Sequence, residues 1–130
     1  MESVSTTTPR QLVEQYWNVM NTNDYAAVGV LLHDAFTLDW PQSGERIRGR
    51  ANFAAVNANY PLPGPWRFNV DRLLENDLEA VTLVTVNSPE FHGPVVSFFE
   101  VRDDLIWRIQ EYWPDPFAAA PDRAQWVERV

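Results

Sequence analysis

At 130 residues, with 45% hydrophobic and 13% aromatic content, the chain is long enough to bury one core unaided and requires no second domain. Its formal net charge of −8 argues against polyanionic partners, whether nucleic acid or an anionic membrane surface. All ten basic residues are arginines and there is no cysteine, which excludes lysine Schiff-base chemistry, thiol nucleophiles and thiolate metal sites.

Residues 1–7, MESVSTT, are small and polar and read as a flexible tail on a single domain spanning 1–130. There is neither a basic-then-apolar leader nor a run of about 18 apolar residues, so a cytoplasmic location is expected. Thr8-Pro9-Arg10-Gln11 supplies a capping hydroxyl, a proline at the first helical position and a glutamine three residues after the cap, the pattern of a capping box. Leu12, Val13, Tyr16, Trp17 and Met20 recur at helical spacing and predict an amphipathic helix that ends near Asn21-Thr22-Asn23. A second helix is predicted from a cap at Asn23 or Asp24, with Ala27, Val28, Leu31 and Leu32 inside and His33-Asp34 closing it. Residues 36–40 alternate as a short strand, 41–44 break it, and Arg46-Ile47-Arg48 resumes extended structure.

A third helix is predicted over residues 51–60, where Phe53, Val56 and Tyr60 repeat at three and four. Pro61, Pro63 and Pro65 with Gly64 then forbid regular structure and suggest a pocket rim. From Trp66 onward the pattern is strand: Trp66, Phe68 and Val70 alternate, Asn76-Asp77 turns the chain, and residues 80–86 are rich in β-branched side chains. Residues 87–93 read as a connecting loop. Two apolar strands follow, joined at Arg102-Asp103-Asp104; both faces of the first are largely apolar, so burial of both is expected. Residues 114–121 are irregular, and Asp122 begins a short amphipathic end carrying Trp126 and Val130. Helices first and strands later predict an α+β fold, a curved antiparallel sheet covered by about three N-terminal helices and bent into a cone around a pocket.

Parity places Ile109, Glu111 and Trp113 on one face of the last strand. Glu111 has two readings: a desolvated acid/base in a cleft, or a carboxylate paired with Arg46 or Arg108 or facing solvent at a sheet edge. Tyr16 reads as a pocket hydrogen-bond donor or as core between helix and sheet. Asp39 falls on the opposite side from Trp40 and enters the site only if a bulge at Pro41 rotates it inward. His92, placed in a loop beside Glu90, has a histidine's suitability as a general base, set against simple solvation. His33 receives no chemistry. The histidines and carboxylates lack metal-ligand spacing, so no metal site is expected. Trp40, Phe53, Tyr60, Trp66, Phe91, Phe99 and Trp113 are candidate pocket walls, with Trp40, Tyr60, Phe99 and Trp113 favoured; aromatics at these spacings equally suit a core. Val96, Phe98, Gln110 and Tyr112 on the other face need a cover, for which a second subunit is the simplest.

The element order, with LVEQYWNVMNTNDYAAVGVLLHDAF, the following WP and GERIRGR, and the closing WRIQEYWPDP, resembles the SnoaL-like branch of the nuclear transport factor 2-like superfamily over about residues 9–117. The resemblance implies a cystatin-like conical α+β barrel with an apolar cavity and a homodimer through the outer sheet face. The activities it implies are polyketide cyclisation, ketosteroid isomerisation, epoxide hydrolysis and dehydration, beside non-catalytic binding. Tyr16 stands where ketosteroid isomerase places its oxyanion tyrosine. Trp40 replaces that enzyme's base before the proline, and Ser97 replaces its second oxyanion donor, an aspartic acid. Against limonene epoxide hydrolase, Gln110, Glu111 and Tyr112 take the places of its last-strand arginine, aspartate and tyrosine. Residues 81–87 lack its partner Arg-x-Asp. The expectation is a protein acting without metal or organic cofactor on a hydrophobic polyketide-, terpenoid- or steroid-like molecule. Glu111 is the acid/base, Tyr16 the polarising donor, Ser97 or His92 auxiliary and Asp39 secondary, with Trp40, Tyr60, Trp66, Phe99 and Trp113 holding substrate. The alternative is a binding or dimeric interaction protein of the same fold.

Overall fold

The computed structural model describes residues 7–113 and 118–130, so most of the expected N-terminal tail and part of the irregular 114–121 segment lie outside the described residues. Helix α1 (Pro9–Met20) begins on the expected capping box: Thr8 Oγ1 accepts from the Gln11 N–H at 3.1 Å and Gln11 Oε1 accepts from the Thr8 N–H at 3.0 Å. Its stripe Leu12, Val13, Tyr16, Trp17 and Met20 is buried against the sheet. After a 3-10 turn (Ala27–Leu31) come β1 (Leu32–Trp40), β2 (Glu45–Arg48) and α2 (Arg50–Ala58). Four strands follow, β3 (Arg67–Glu75), β4 (Glu79–Ser88), β5 (Phe91–Arg102) and β6 (Leu105–Tyr112), then a 3-10 turn (Pro121–Trp126).

The strands form one sheet in the order β2-β1-β6-β5-β4-β3, curved and unclosed, with the helices over its inner face. The fold is α+β as expected, but the sheet is mixed, because β1 lies parallel to β6. Bulges at Asp71 in β3 and Trp107 in β6, and the irregular start of β1, bend the sheet and turn its inner face into a concavity. Among the described residues no helix is long and apolar enough to cross a membrane.

Three local expectations are corrected. The second helix is only a five-residue 3-10 turn, and β1 starts at once after it. Gly29 and the β-branched Val28 and Val30 weaken an α-helix there. The Arg50 guanidinium also takes the Gly29 and Leu32 carbonyls as acceptors. His33 therefore sits in β1, where Nδ1 accepts from the Ala35 N–H at 2.9 Å and Nε2 faces Asp103 Oδ2 at 3.2 Å. The 87–93 loop is a hairpin, since Asn87 pairs with His92 and Ser88 with Phe91. The outer face of β5 is also not fully buried: Phe98 is 48% exposed and packs edge-on against Tyr112.

The β5–β6 hairpin turns on Asp103 and Asp104, both with positive φ, as a two-residue turn matching strand twist requires. At the β3 edge of the sheet, Asn21 and Asn23 act as a substitute strand for the start of β3. Asn21 donates to the Phe68 carbonyl at 2.8 Å and accepts from its N–H at 2.7 Å, and Asn23 does the same for Trp66 at 2.8 and 2.7 Å. Replacing Asn21 by Ala removes two hydrogen bonds to an edge strand. The expected loss is about 2 kcal/mol, read as a lower urea midpoint at unchanged slope.

Candidate functional site

The inner face of the sheet, α1 and α2 enclose a cavity offering about 30 Å³ to the centre of a water molecule, room for about two waters. Nine of its thirteen described lining residues are aromatic and one, Glu111, is acidic.

Strand register explains how Glu111 arrives there. It lies directly opposite Ser97 in the β5–β6 ladder. In the parallel pairing Leu38 faces Ile109 and Asp39 faces Gln110, so the next step sets Trp40 beside Glu111. Trp113, two residues on, shares the face. Glu111 is 5% exposed. Its Oε1 accepts from the indole N–H of Trp40 at 3.1 Å and of Trp113 at 2.7 Å, while Oε2 accepts from the Ser97 hydroxyl at 2.8 Å. Among the described residues, which include all ten arginines, no cation pairs with it. Its described hydrogen-bond partners are thus three neutral donors, two on Oε1 and one on Oε2.

Tyr16 reaches the same cavity from α1, wedged between Trp17, Phe53 and Phe99. Among the described residues its hydroxyl has no hydrogen-bond partner. Burial, then the charge of Glu111 and the neighbouring Tyr25, hold its phenol well above the ordinary tyrosine range. Tyr25, from the turn after α1, also lines the cavity, and burial raises it as well. Both phenols therefore remain donors.

The remaining predicted residues divide clearly. Trp40, Tyr60, Trp66 and Trp113 line the cavity, and Ser97 touches it through Glu111. Tyr60 and Trp113 rings are nearly parallel, and Trp66 stands perpendicular to both. Phe99 lies beneath the wall, packed on Tyr16 and Trp17, as core and not lining. His92 is exposed on the outer face of β5, against Asn87, because strand pairing absorbed its loop. Asp39 also faces outward. Arg46 grips it with two bonds of 2.7 and 2.8 Å, and this hydrogen bonding holds its carboxyl below the ordinary range. The stabilisation from that pair is complete above the ordinary aspartate value and fades as acid titrates the folded carboxylate. Asp39→Asn is expected to flatten that part of the acid limb of stability. Among the described residues no cluster of three or more His, Asp or Glu is poised for a metal.

Sequence reasoning missed Tyr25, Trp17, Phe68 and Asn57. Tyr25 sits in a turn without periodicity, and only the Asn21–Asn23 clamp on β3 aims its segment inward.

Residues 13–109 match the model of the SnoaL-like domain family. The fold is similar to a candidate ketosteroid isomerase from Kribbella flavida DSM 17836, at 33% identity and TM-score 0.86, covering 96% of this chain and 93% of that one. It is similar to a nuclear transport factor 2-like protein of unknown function from Burkholderia xenovorans LB400, at 28% identity and TM-score 0.74 over 93% and 94% of the two chains. A third similar structure is an LEH-like epoxide hydrolase from M. tuberculosis, at 22% identity and TM-score 0.66 over 82% and 83%. No curated protein matches the chain significantly.

Proposed function

The chain belongs to the SnoaL-like domain family, and from that premise we propose that it is a cofactor-independent acid/base enzyme acting on a small hydrophobic molecule at the Glu111 cavity. One observation carries the reading: a buried carboxylate without a cation shares an aromatic cavity with a buried phenol that has no hydrogen-bond partner among the described residues. Oε1 is filled by two indoles, whereas Oε2 keeps one open acceptor position beside Ser97. Oε2 is therefore the atom that takes a proton from the substrate carbon next to a carbonyl. The electron pair moves onto the carbonyl oxygen, the Tyr16 hydroxyl donates to the resulting enolate, and Oε2 returns the proton at the product carbon.

Tyr16→Phe tests this directly. Its hydroxyl has no partner to lose among the described residues, so stability should stay within about 0.5 kcal/mol of wild type. Turnover across a panel of hydrophobic carbonyl compounds should fall about 10²-fold in kcat. An active Tyr16→Phe variant would remove the phenol from the mechanism.

A second reading, binding without turnover, is favoured by the narrowness of the cavity and by the three donors that already engage Glu111. Any ligand larger than two waters must displace aromatic side chains. Tight binding by wild type with no turnover of carbonyl or epoxide compounds would select this reading.

A further inference from the structure

We infer that the group seated beside Glu111 is a tertiary or quaternary methylated ammonium, which makes the cavity an aromatic cage for a small organic cation. The inference rests on the cavity being the ligand site, the part common to both readings above, and names the chemistry of the ligand's head.

Charge is the first argument. Glu111 is 5% exposed and its hydrogen-bonding partners are all neutral. No lysine exists in the chain, and none of the ten arginines pairs with it. Among the described residues no cation offsets this carboxylate, and a cationic ligand would supply one.

The walls supply the second argument. The Tyr60 and Trp113 rings lie 6.3 Å apart with planes 22° from parallel. Trp66 stands at 89° to each, with centroids 5.6 and 6.5 Å away. At these separations the three rings pack on one another with no gap between them, so it is their cavity-facing surfaces, together with the six other described aromatic lining residues, that attract a cation through their quadrupoles, most strongly when water is excluded.

Size and donor balance complete the choice of cation. The cavity holds about two waters as it stands, so a compact trimethylammonium head needs far less movement of its walls than a fused-ring skeleton does. A metal ion or a primary ammonium needs several acceptor oxygens. This cavity presents mainly donors, with the Tyr16 and Tyr25 hydroxyls among them. A quaternary head needs no acceptor, and the single N–H of a tertiary one matches the one open position on Oε2.

The test compares choline with 3,3-dimethylbutan-1-ol, which has the same shape without the charge, by calorimetry and tryptophan fluorescence at constant ionic strength. Choline should bind wild-type protein about tenfold or more tightly than the neutral alcohol. Glu111→Gln should lower that preference severalfold. Equal binding of the two by wild type, which needs no variant to interpret, overturns the cation inference and leaves the apolar site intact. Binding of neither, while a hydrophobic carbonyl compound binds, has the same meaning. Binding of no compound at all sinks the inference and the cavity reading together.

Discussion

Glu111→Gln is expected to keep the fold and lose turnover, whereas Glu111→Leu is expected to lose about 3 kcal/mol of stability. The difference lies in the three donors that meet at the carboxylate. In the Gln variant the amide oxygen still accepts from the indoles of Trp40 and Trp113. Its amino group donates to Ser97 Oγ, because a hydroxyl accepts as readily as it donates. Every bond survives, and only the proton-carrying oxygen is gone. With leucine, two indole N–H groups and a hydroxyl lose their shared acceptor inside an apolar cavity, at roughly 1–3 kcal/mol each before any relief from entering water. Urea unfolding of the two variants, beside kcat on any substrate found for wild type, separates the roles. The Gln variant should lose 10²–10⁴ in kcat with a near-native midpoint. Equal stability of the two variants would show that the carboxylate does not tie β1, β5 and β6 together. Retained turnover in the Gln variant would show that it moves no proton.

The parts of this arrangement visible in the sequence are those set by local periodicity. Thr8 to Gln11 specify a helix start through groups three residues apart, and the α1 stripe follows from a 3.6-residue period. Asp103 and Asp104 tolerate the positive φ of a tight hairpin turn, and parity from that turn carries Glu111 to the same face as Ile109 and Trp113. What was not visible depends on pairing between distant segments. Nothing near Leu32 announces that β1 will lie parallel to β6, so the indole of Trp40 on Glu111 was not foreseen. A strand ladder that runs to Asn87 and Ser88 moved His92 out of its supposed loop and onto the outer face. Phe99 has the correct parity for a cavity wall, yet α1 lays Tyr16 and Trp17 across it. Parity gives a side chain's face of the sheet; whether it lines a void depends on what packs above.

Strong base should expose the second large effect, because Tyr16 is buried with its phenol held well above the ordinary tyrosine value of 10.0. In the unfolded chain that phenol loses its proton near pH 10, while in the folded protein it keeps it. Between the two values the folded state binds more protons, so its stability falls as pH rises. The slope is about 1.4 kcal/mol per pH unit for one tyrosine. Below pH 10 both states are protonated and the contribution is complete. Tyr16→Phe has no proton to lose, and from near equality at pH 7 it should become the more stable of the two as pH rises past 10. Tyr25, also raised by burial, remains in both proteins and leaves each with a residual slope. Urea midpoints from pH 7 to 11.5 give the comparison. Parallel curves would mean that the Tyr16 hydroxyl reaches bulk solvent and ionises in the fold, and a phenol in water has no privileged hold on a substrate oxygen. Diverging curves would mean that the hydroxyl stays a donor throughout the range in which any enzyme of this fold would work, beside the charge of Glu111.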